Sequence, residues 1–292
     1  MNRPKLILLV GIPGAGKTTY SKKYLEQNID TVHLSSDSIR AELYGDESIQ
    51  GNPADVFSLM QKRAIEALND GHDVIYDATN ITRKDRACII SICPKFTQIE
   101  AHIIWAPIEE CIKRDAARDR TVGKEVIDRM LKKFQAVYYD EGIDEIKVIL
   151  PDNFNMWKYT NEIMDAMKIP HDNPHHTLNI LDHCLEANKY IVNKTGAYYS
   201  DIGFAALWHD VGKPYVKAFI DSKGNSCDVA HYYQHQCLSA WMSYGLECVT
   251  PYVVWLISVH MDVYLNTKYY NNLPQWLKKG VDMLHEADSA AH

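Results

Sequence analysis

The chain has 292 residues, 46% apolar and 24% charged, with a formal charge of -7; that composition builds packed cores and excludes both a disordered chain and a basic coat for long duplex nucleic acid. Its N-terminal apolar run, Leu6 to Val10, is too short to span a bilayer, and its seven cysteines form no C-x-x-C pair. The expectation is a reduced, cytoplasmic protein with no membrane partner, divided by its length into two domains.

In the first half, β-rich runs at Leu6–Val10, Thr31–Leu34, Asp73–Tyr76, Ile99–Trp105 and Ile146–Leu150 alternate with helical patterns. Those patterns cover Lys17–Gln27, Asp37–Tyr44, Ala54–Asn69, Arg83–Cys93, Ile108–Arg118 and Lys124–Tyr139. Strands spaced by helices predict a parallel α/β sheet over residues 1–150, with ligands at the carboxyl ends of the strands. The first strand runs directly into Gly11-Ile12-Pro13-Gly14-Ala15-Gly16-Lys17-Thr18-Thr19, which fits G-x-x-x-x-G-K-S/T in its strand–loop–helix context. Such a loop turns successive backbone N–H groups at a helix N-terminus onto phosphate oxygens. Lys17 then reaches the β and γ phosphates and the Thr18 hydroxyl meets Mg2+, which makes ATP and Mg2+ the expected cofactors.

Asp37 follows the second strand, where it either caps the next helix or accepts the proton of an attacking hydroxyl, with Arg40 one turn further on. Asp77 and Asn80 end the third strand, as a plain turn or as groups facing the acceptor, with Asp77 alternatively a Mg2+-linked carboxylate. Arg114 and Arg118, four apart, share a helix face and suit a lid over a transferring phosphoryl group, although a solvated charged helix has the same pattern. P-loop, Asp37 with Arg40, D-x-T-N from Asp77 to Asn80, and R-x-x-x-R at Arg114 and Arg118 together resemble the phage-type 5′-hydroxyl polynucleotide kinases over about residues 5–140. The resemblance implies that Asp37 is the general base, Arg40 the contact to a phosphate of the acceptor, and Arg114 with Arg118 the lid on ATP.

Past residue 151 the strand rhythm stops, and an all-α domain over residues 151–292 is expected. Every arginine lies before this point, whereas ten of the thirteen histidines lie after Ile169. His183, the pair His209-Asp210 and Asp288 form an N2O2 set suited to a divalent transition metal. This half resembles the HD phosphohydrolase superfamily, which implies further ligands at His235 and His260 and room for one or two ions of Mn, Fe, Co, Ni or Zn. It also implies that Lys213 neutralises a phosphate oxygen; His176, seven residues before His183, is a candidate substrate contact. His231 competes with His235, which the helix-like run after Gln236 favours.

Taken together, the two resemblances imply a P-loop NTPase domain followed by an HD domain, fused as an end-healing enzyme. Such an enzyme phosphorylates 5′-hydroxyls and removes 3′-phosphates or 2′,3′-cyclic phosphates from RNA or DNA ends, single-stranded or nicked, ahead of a ligase. A small-molecule kinase joined to an HD nucleotidase and a nucleotide-sensing regulator stay open as alternatives.

Overall fold

A computed structural model describes residues 3–174 and 177–291, so His176 lies outside the described residues. The chain divides into two compact units, one of Met1–Met130 with Val137–Asp152, the other of Leu131–Ala136 with Asn153–His292.

The first unit is a five-stranded, all-parallel sheet built from β1 (Lys5–Val10), β2 (Val32–Ser35), β3 (Val74–Asp77), β4 (Gln98–Ile104) and β5 (Glu145–Ile149). Their spatial order is β2-β3-β1-β4-β5. β1 is central, and Leu6 to Val10 are all fully buried, because a parallel strand covered on both faces selects a continuous apolar run rather than an alternating one. The crossovers carry α1 (Lys17–Gln27), α2 (Ser36–Tyr44), α3 (Pro53–Asn69), α4 (Arg83–Ile90), α5 (Ile108–Ala116) and α6 (Lys124–Leu131). In α3, Asn52 caps the N-terminus through Ala54 N, Pro53 opens the first turn, and Val56, Met60, Ala64 and Leu68 bury one stripe at a spacing of four.

A buried ion pair ties α4 to the segment before β5. Arg86, fully buried, donates from Nε and Nη2 to both carboxylate oxygens of Glu141 at 2.7 and 2.8 Å, and from Nη1 to Asn80 O at 2.9 Å. Removing one partner strands the other charge away from water. Arg86→Met should therefore cost about 3–5 kcal/mol of stability. Denaturant titration checks this; a loss under 1 kcal/mol would show the pair to be dispensable.

Helical periodicity in the sequence carries the sixth helix to Tyr139, yet α6 stops at Leu131. Leu131–Ala136 belong to the second unit: Phe134 is fully buried edge-on to Trp241, with ring centroids 5.4 Å apart, and Ala136 N donates to Ser258 Oγ at 3.1 Å. Burying that ring outweighs the continuation of a helix.

The second unit holds α7 (Met156–Ala166), α8 (Ile180–Thr195), α9 (Asp201–Trp208) and α10 (Lys213–Val216), then α11 (His235–Ser243), α12 (Pro251–Val259), α13 (Asp262–Leu265), α14 (Thr267–Asn271) and α15 (Gln275–Ala290). α8, α9, α12 and α15 pack on one another around Ile191, Ala205, Trp255 and Leu284, all fully buried. It is mainly helical, but the expectation of an all-α region misses an antiparallel hairpin, β6 (Ala218–Ile220) with β7 (Ser226–His231). Turn chemistry makes it: the Asp221 carboxylate accepts from Lys223 N and Asn225 N, both at 2.8 Å, and Gly224 takes φ +87°. Among the described residues, no helix is long and apolar enough to cross a membrane.

Candidate functional site

In the first unit, the loop between β1 and α1 forms the cradle. Gly14 sits at φ +79° with the Cys111 carbonyl oxygen only 2.1 Å from where a Cβ would be, so no other residue fits. Gly16 is the N-cap of α1 at φ +109°, and no acidic residue occupies the first turn of that helix. Its amide groups are left to an anion. Lys17 Nζ donates to Gly11 O at 2.8 Å and Ile12 O at 3.2 Å, and the Thr18 and Thr19 side chains are exposed beside it. Burial draws the Lys17 pKa below its ordinary value; Asp77 opposes this, Arg118 reinforces it and Asp37 opposes it again. Those three groups therefore share the lysine's electrostatic surroundings.

The cap position of α2 is Ser35, and Asp37, in the first turn, instead pairs with Arg40, whose Nη1 donates to its Oδ1 at 2.7 Å. Asp37 remains 55% exposed, with Arg120 Nη1 3.8 Å away. Arg40 Nε is buried with no hydrogen-bond partner, so the guanidinium retains donor capacity for an anion. Asp77 is buried; its Oδ2 accepts from Ser21 Oγ at 3.2 Å and lies 3.2 Å from His33 Nε2. Asn80, at φ +48°, is turned inward, and its Nδ2 donates to Leu9 O at 2.8 Å. That placement fastens the end of β3 to β1.

Arg114 Nη1 lies 3.9 Å from the position a Cβ on Gly16 would take, and its Nε donates to Glu110 at 3.0 Å. Sequence reasoning missed Asp115 between the arginines, since it looked like part of a charged run. It is buried and accepts from Val122 N at 3.1 Å and Gly123 N at 2.9 Å, which pins the loop that carries Arg118 and Arg120. Ser21 and His33, the partners of Asp77, were missed as well, because nothing local in the sequence marks them.

In the second unit, α8 supplies His183, the end of α9 supplies His209 and Asp210, and α11 supplies His235. The end of α12 supplies His260, and the last turn of α15 supplies Asp288. Two groups of potential ligand atoms result, His183-His209-Asp210 and Asp210-His235-His260, with all atoms of each within 4.8 Å of one another. Asp210 is common to both. Asp288 Oδ1 lies 3.0 Å from His183 Nε2 and 3.4 Å from His209 Nε2. His231 is elsewhere, stacked on Tyr233.

The four imidazoles share one arrangement. Each has Nδ1 against a backbone carbonyl: His183 at Ala291 O (2.6 Å), His209 at Ala206 O (2.8 Å), His235 at Tyr232 O (2.9 Å) and His260 at Ile257 O (2.7 Å). An acceptor there holds the proton on Nδ1 and aims the Nε2 lone pair inward. His235 and His260 then face each other Nε2 to Nε2 at 3.2 Å, a contact that is repulsive unless positive charge lies close by. His209 Nε2 and both oxygens of Asp210 are buried; His209 Nε2 lies 3.2 Å from Asp210 Oδ2 and His235 Nε2 3.2 Å from its Oδ1. Burial presses the His209 pKa down, but Asp210, Cys184 and Asp288 together more than offset it and hold it well above the ordinary histidine value. Burial, with His235 and His209 adjacent, pushes His260 down to about 3. Inward imidazole nitrogens converging on one buried carboxylate, with a demand for positive charge, fit a divalent metal.

Lys213 Nζ meets Asp210 Oδ2 at 2.6 Å and lies 3.5 Å from His171 Nε2, and the residue is only 7% exposed. His171 was missed by the sequence reading. It is buried, T-shaped against His183 at 5.4 Å, and burial pushes its pKa down to about 4.

Residues 6–137 match the family model described as an AAA domain. Over 168 residues the sequence is 30% identical to an L-seryl-tRNA(Sec) kinase of Methanococcus maripaludis, a match covering 55% of this chain and 65% of that enzyme. The chain thus spans just under two thirds of that relative's length. Among solved structures, the Pnkp1/Rnl/Hen1 RNA repair complex overlays with a TM-score of 0.41 at 24% identity, over 46% of this chain and 44% of that one. A fungal RNA kinase overlays with a TM-score of 0.39 at 15% identity, over 51% and 75%. With its parallel five-stranded sheet and P-loop, the first unit is a kinase-like P-loop domain, a fold that implies ATP and Mg2+.

Proposed function

We propose that this chain heals nucleic-acid ends, transferring the γ-phosphoryl group of ATP to a 5′-hydroxyl in its first unit and removing a 3′-phosphate or 2′,3′-cyclic phosphate in its second. The kinase part rests above all on Asp37, exposed and paired with Arg40 within electrostatic reach of Lys17. As the acceptor oxygen bonds to the γ-phosphorus and the bond to the β-phosphate oxygen breaks, Asp37 takes the hydroxyl proton. Lys17, Arg114 and Arg118 offset the charge on the phosphoryl oxygens, and Thr18 is the Mg2+ contact. Asp77, held by Ser21 and His33, would orient the acceptor side.

The hydrolase part rests on the inward Nε2 atoms of His183, His209, His235 and His260 around Asp210. These residues with Asp288 would hold one or two ions of Mn, Fe, Co, Ni or Zn, which polarise a phosphate ester and activate water. Lys213 brings its ammonium to the same carboxylate and offers charge to a phosphate oxygen. The backbone carbonyls behind each imidazole keep the donor set oriented.

The match to an L-seryl-tRNA(Sec) kinase favours a second reading of the first site, in which the attacking hydroxyl is borne on RNA elsewhere than at a 5′ end. A panel of acceptors with labelled ATP separates the readings: 5′-hydroxyl oligonucleotides of RNA and DNA, aminoacylated tRNA, nucleosides and mononucleotides. Label on the oligonucleotides supports end healing, label on tRNA alone supports the second reading, and label on nucleosides alone supports a small-molecule kinase. Arg40→Ala should raise the KM of a 3′-phosphorylated acceptor about 10- to 100-fold, the worth of one hydrogen bond to a charged group, and move that of ATP little. An equal penalty on acceptors with and without the 3′-phosphate contradicts a phosphate contact.

A further inference from the structure

Five of the six clustered side chains in the second unit are sealed. His183 and His209 are 0% exposed, Asp210 1%, His260 4% and His235 6%, whereas the Asp288 side chain is 28% exposed. The way in is therefore on the Asp288 side. His285 precedes Asp288 by three residues on α15, which puts it on the same helix face, about 5–6 Å away at Cβ. Tyr264 reaches the same place from α13, four residues after His260. Its hydroxyl lies 3.2 Å from His285 Nε2, and the two rings meet edge to face with centroids 5.3 Å apart at 76°. Tyr264 nevertheless stays 63% exposed. A large aromatic side chain that is both anchored and left in water presents a fixed face to a flat ligand at little entropic cost.

We propose that Tyr264, anchored by His285, is a base-stacking platform at the mouth of the cluster, which makes the substrate of the second unit a nucleobase-bearing phosphate ester. The proposal rests on the hydrolase reading above for the position of the phosphate. With the phosphate at Asp210 and Lys213 and the entrance at Asp288, the group attached through one sugar emerges past His285 onto the tyrosine ring. A neutral aromatic face accepts any base, so the platform selects nucleotides over aliphatic esters without reading sequence.

The test uses the full chain, with adenosine 3′-monophosphate and the non-aromatic glycerol phosphate as paired substrates. In Tyr264→Ala the ratio of kcat/KM for the nucleotide over that for glycerol phosphate should fall about 5- to 100-fold, the range supplied by one base–aromatic stack, and the change should lie in KM. Tyr264→Phe, which keeps the ring and loses the hydroxyl, should recover most of it. An equal loss on both substrates overturns the platform. Calorimetric binding of adenosine 3′-monophosphate keeps the two readings apart. If the wild-type chain hydrolyses neither ester, the hydrolase reading falls, and the platform is then judged on affinity alone. A similar loss of affinity in Tyr264→Ala, recovered in Tyr264→Phe, supports it; undetectable wild-type binding or unchanged affinity overturns it.

Discussion

Replacing Asp210 by Ala is expected to abolish metal retention and phosphate-ester hydrolysis in this chain while ATP-dependent phosphorylation stays within about twofold. Asp210 is the one residue common to both ligand groups, and Lys213 Nζ depends on it at 2.6 Å. Losing a mere outer-shell partner of a metal ligand costs about 10- to 100-fold, so losing the shared carboxylate should exceed about 100-fold. Asp210→Asn keeps the shape and one oxygen but removes the charge, and it should lie close to Ala. Elemental analysis after reconstitution with Mn, Fe, Co, Ni or Zn gives the metal content, and release of 3′-phosphate gives the rate. Full metal content in Asp210→Ala would remove the carboxylate from the centre of the site.

The second large effect is in the other unit. Lys17→Ala should lower phosphoryl transfer about 100- to 1,000-fold, the usual cost of one preorganised charge-stabilising contact, with the hydrolysis rate unaffected. Asp37→Ala should lose a similar factor in kcat, as removal of a general base does, with little change in the KM of ATP. Each unit has its own buried core, around Leu6 to Val10 in one and around Trp255 and Leu284 in the other, so each substitution is expected to leave the other activity in place. Normal turnover in Asp37→Ala would reduce that residue to an ion-pair partner of Arg40. Parallel loss of both activities would contradict separate sites.

The P-loop was legible because its glycines answer a local constraint, the positive φ at Gly14 and Gly16. The strands of the first unit were legible for a related reason: burial on both faces writes an unbroken apolar run into β1. Where a residue's task is set by distant chain, the sequence was silent. His171 answers to Lys213, 42 residues away, and Asp115 looked like ordinary charge until the loop at Val122 and Gly123 folded onto it. The tautomers of the four clustered histidines depend on backbone carbonyls, which no side-chain pattern encodes. Phe134 misled the helix reading because tertiary burial, not local propensity, decides where α6 ends. The hairpin at Asp221–Gly224 was legible in principle, since Asp, Ser, Lys and Gly are turn chemistry, but the strands beside it are too short to announce themselves.

The central claim, that one chain carries both end chemistries, is tested most directly on a single oligonucleotide bearing a 5′-hydroxyl and a 3′-phosphate. It is incubated with the intact protein, ATP, Mg2+ and Mn2+, and its two ends are then assigned by mass spectrometry after fragmentation. The account predicts a gain of one phosphoryl group at the 5′ end and a loss of one at the 3′ end. It further predicts that Lys17→Ala suppresses only the gain and Asp210→Ala only the loss. Two unchanged ends, under conditions in which the same protein phosphorylates a free nucleoside, would contradict it.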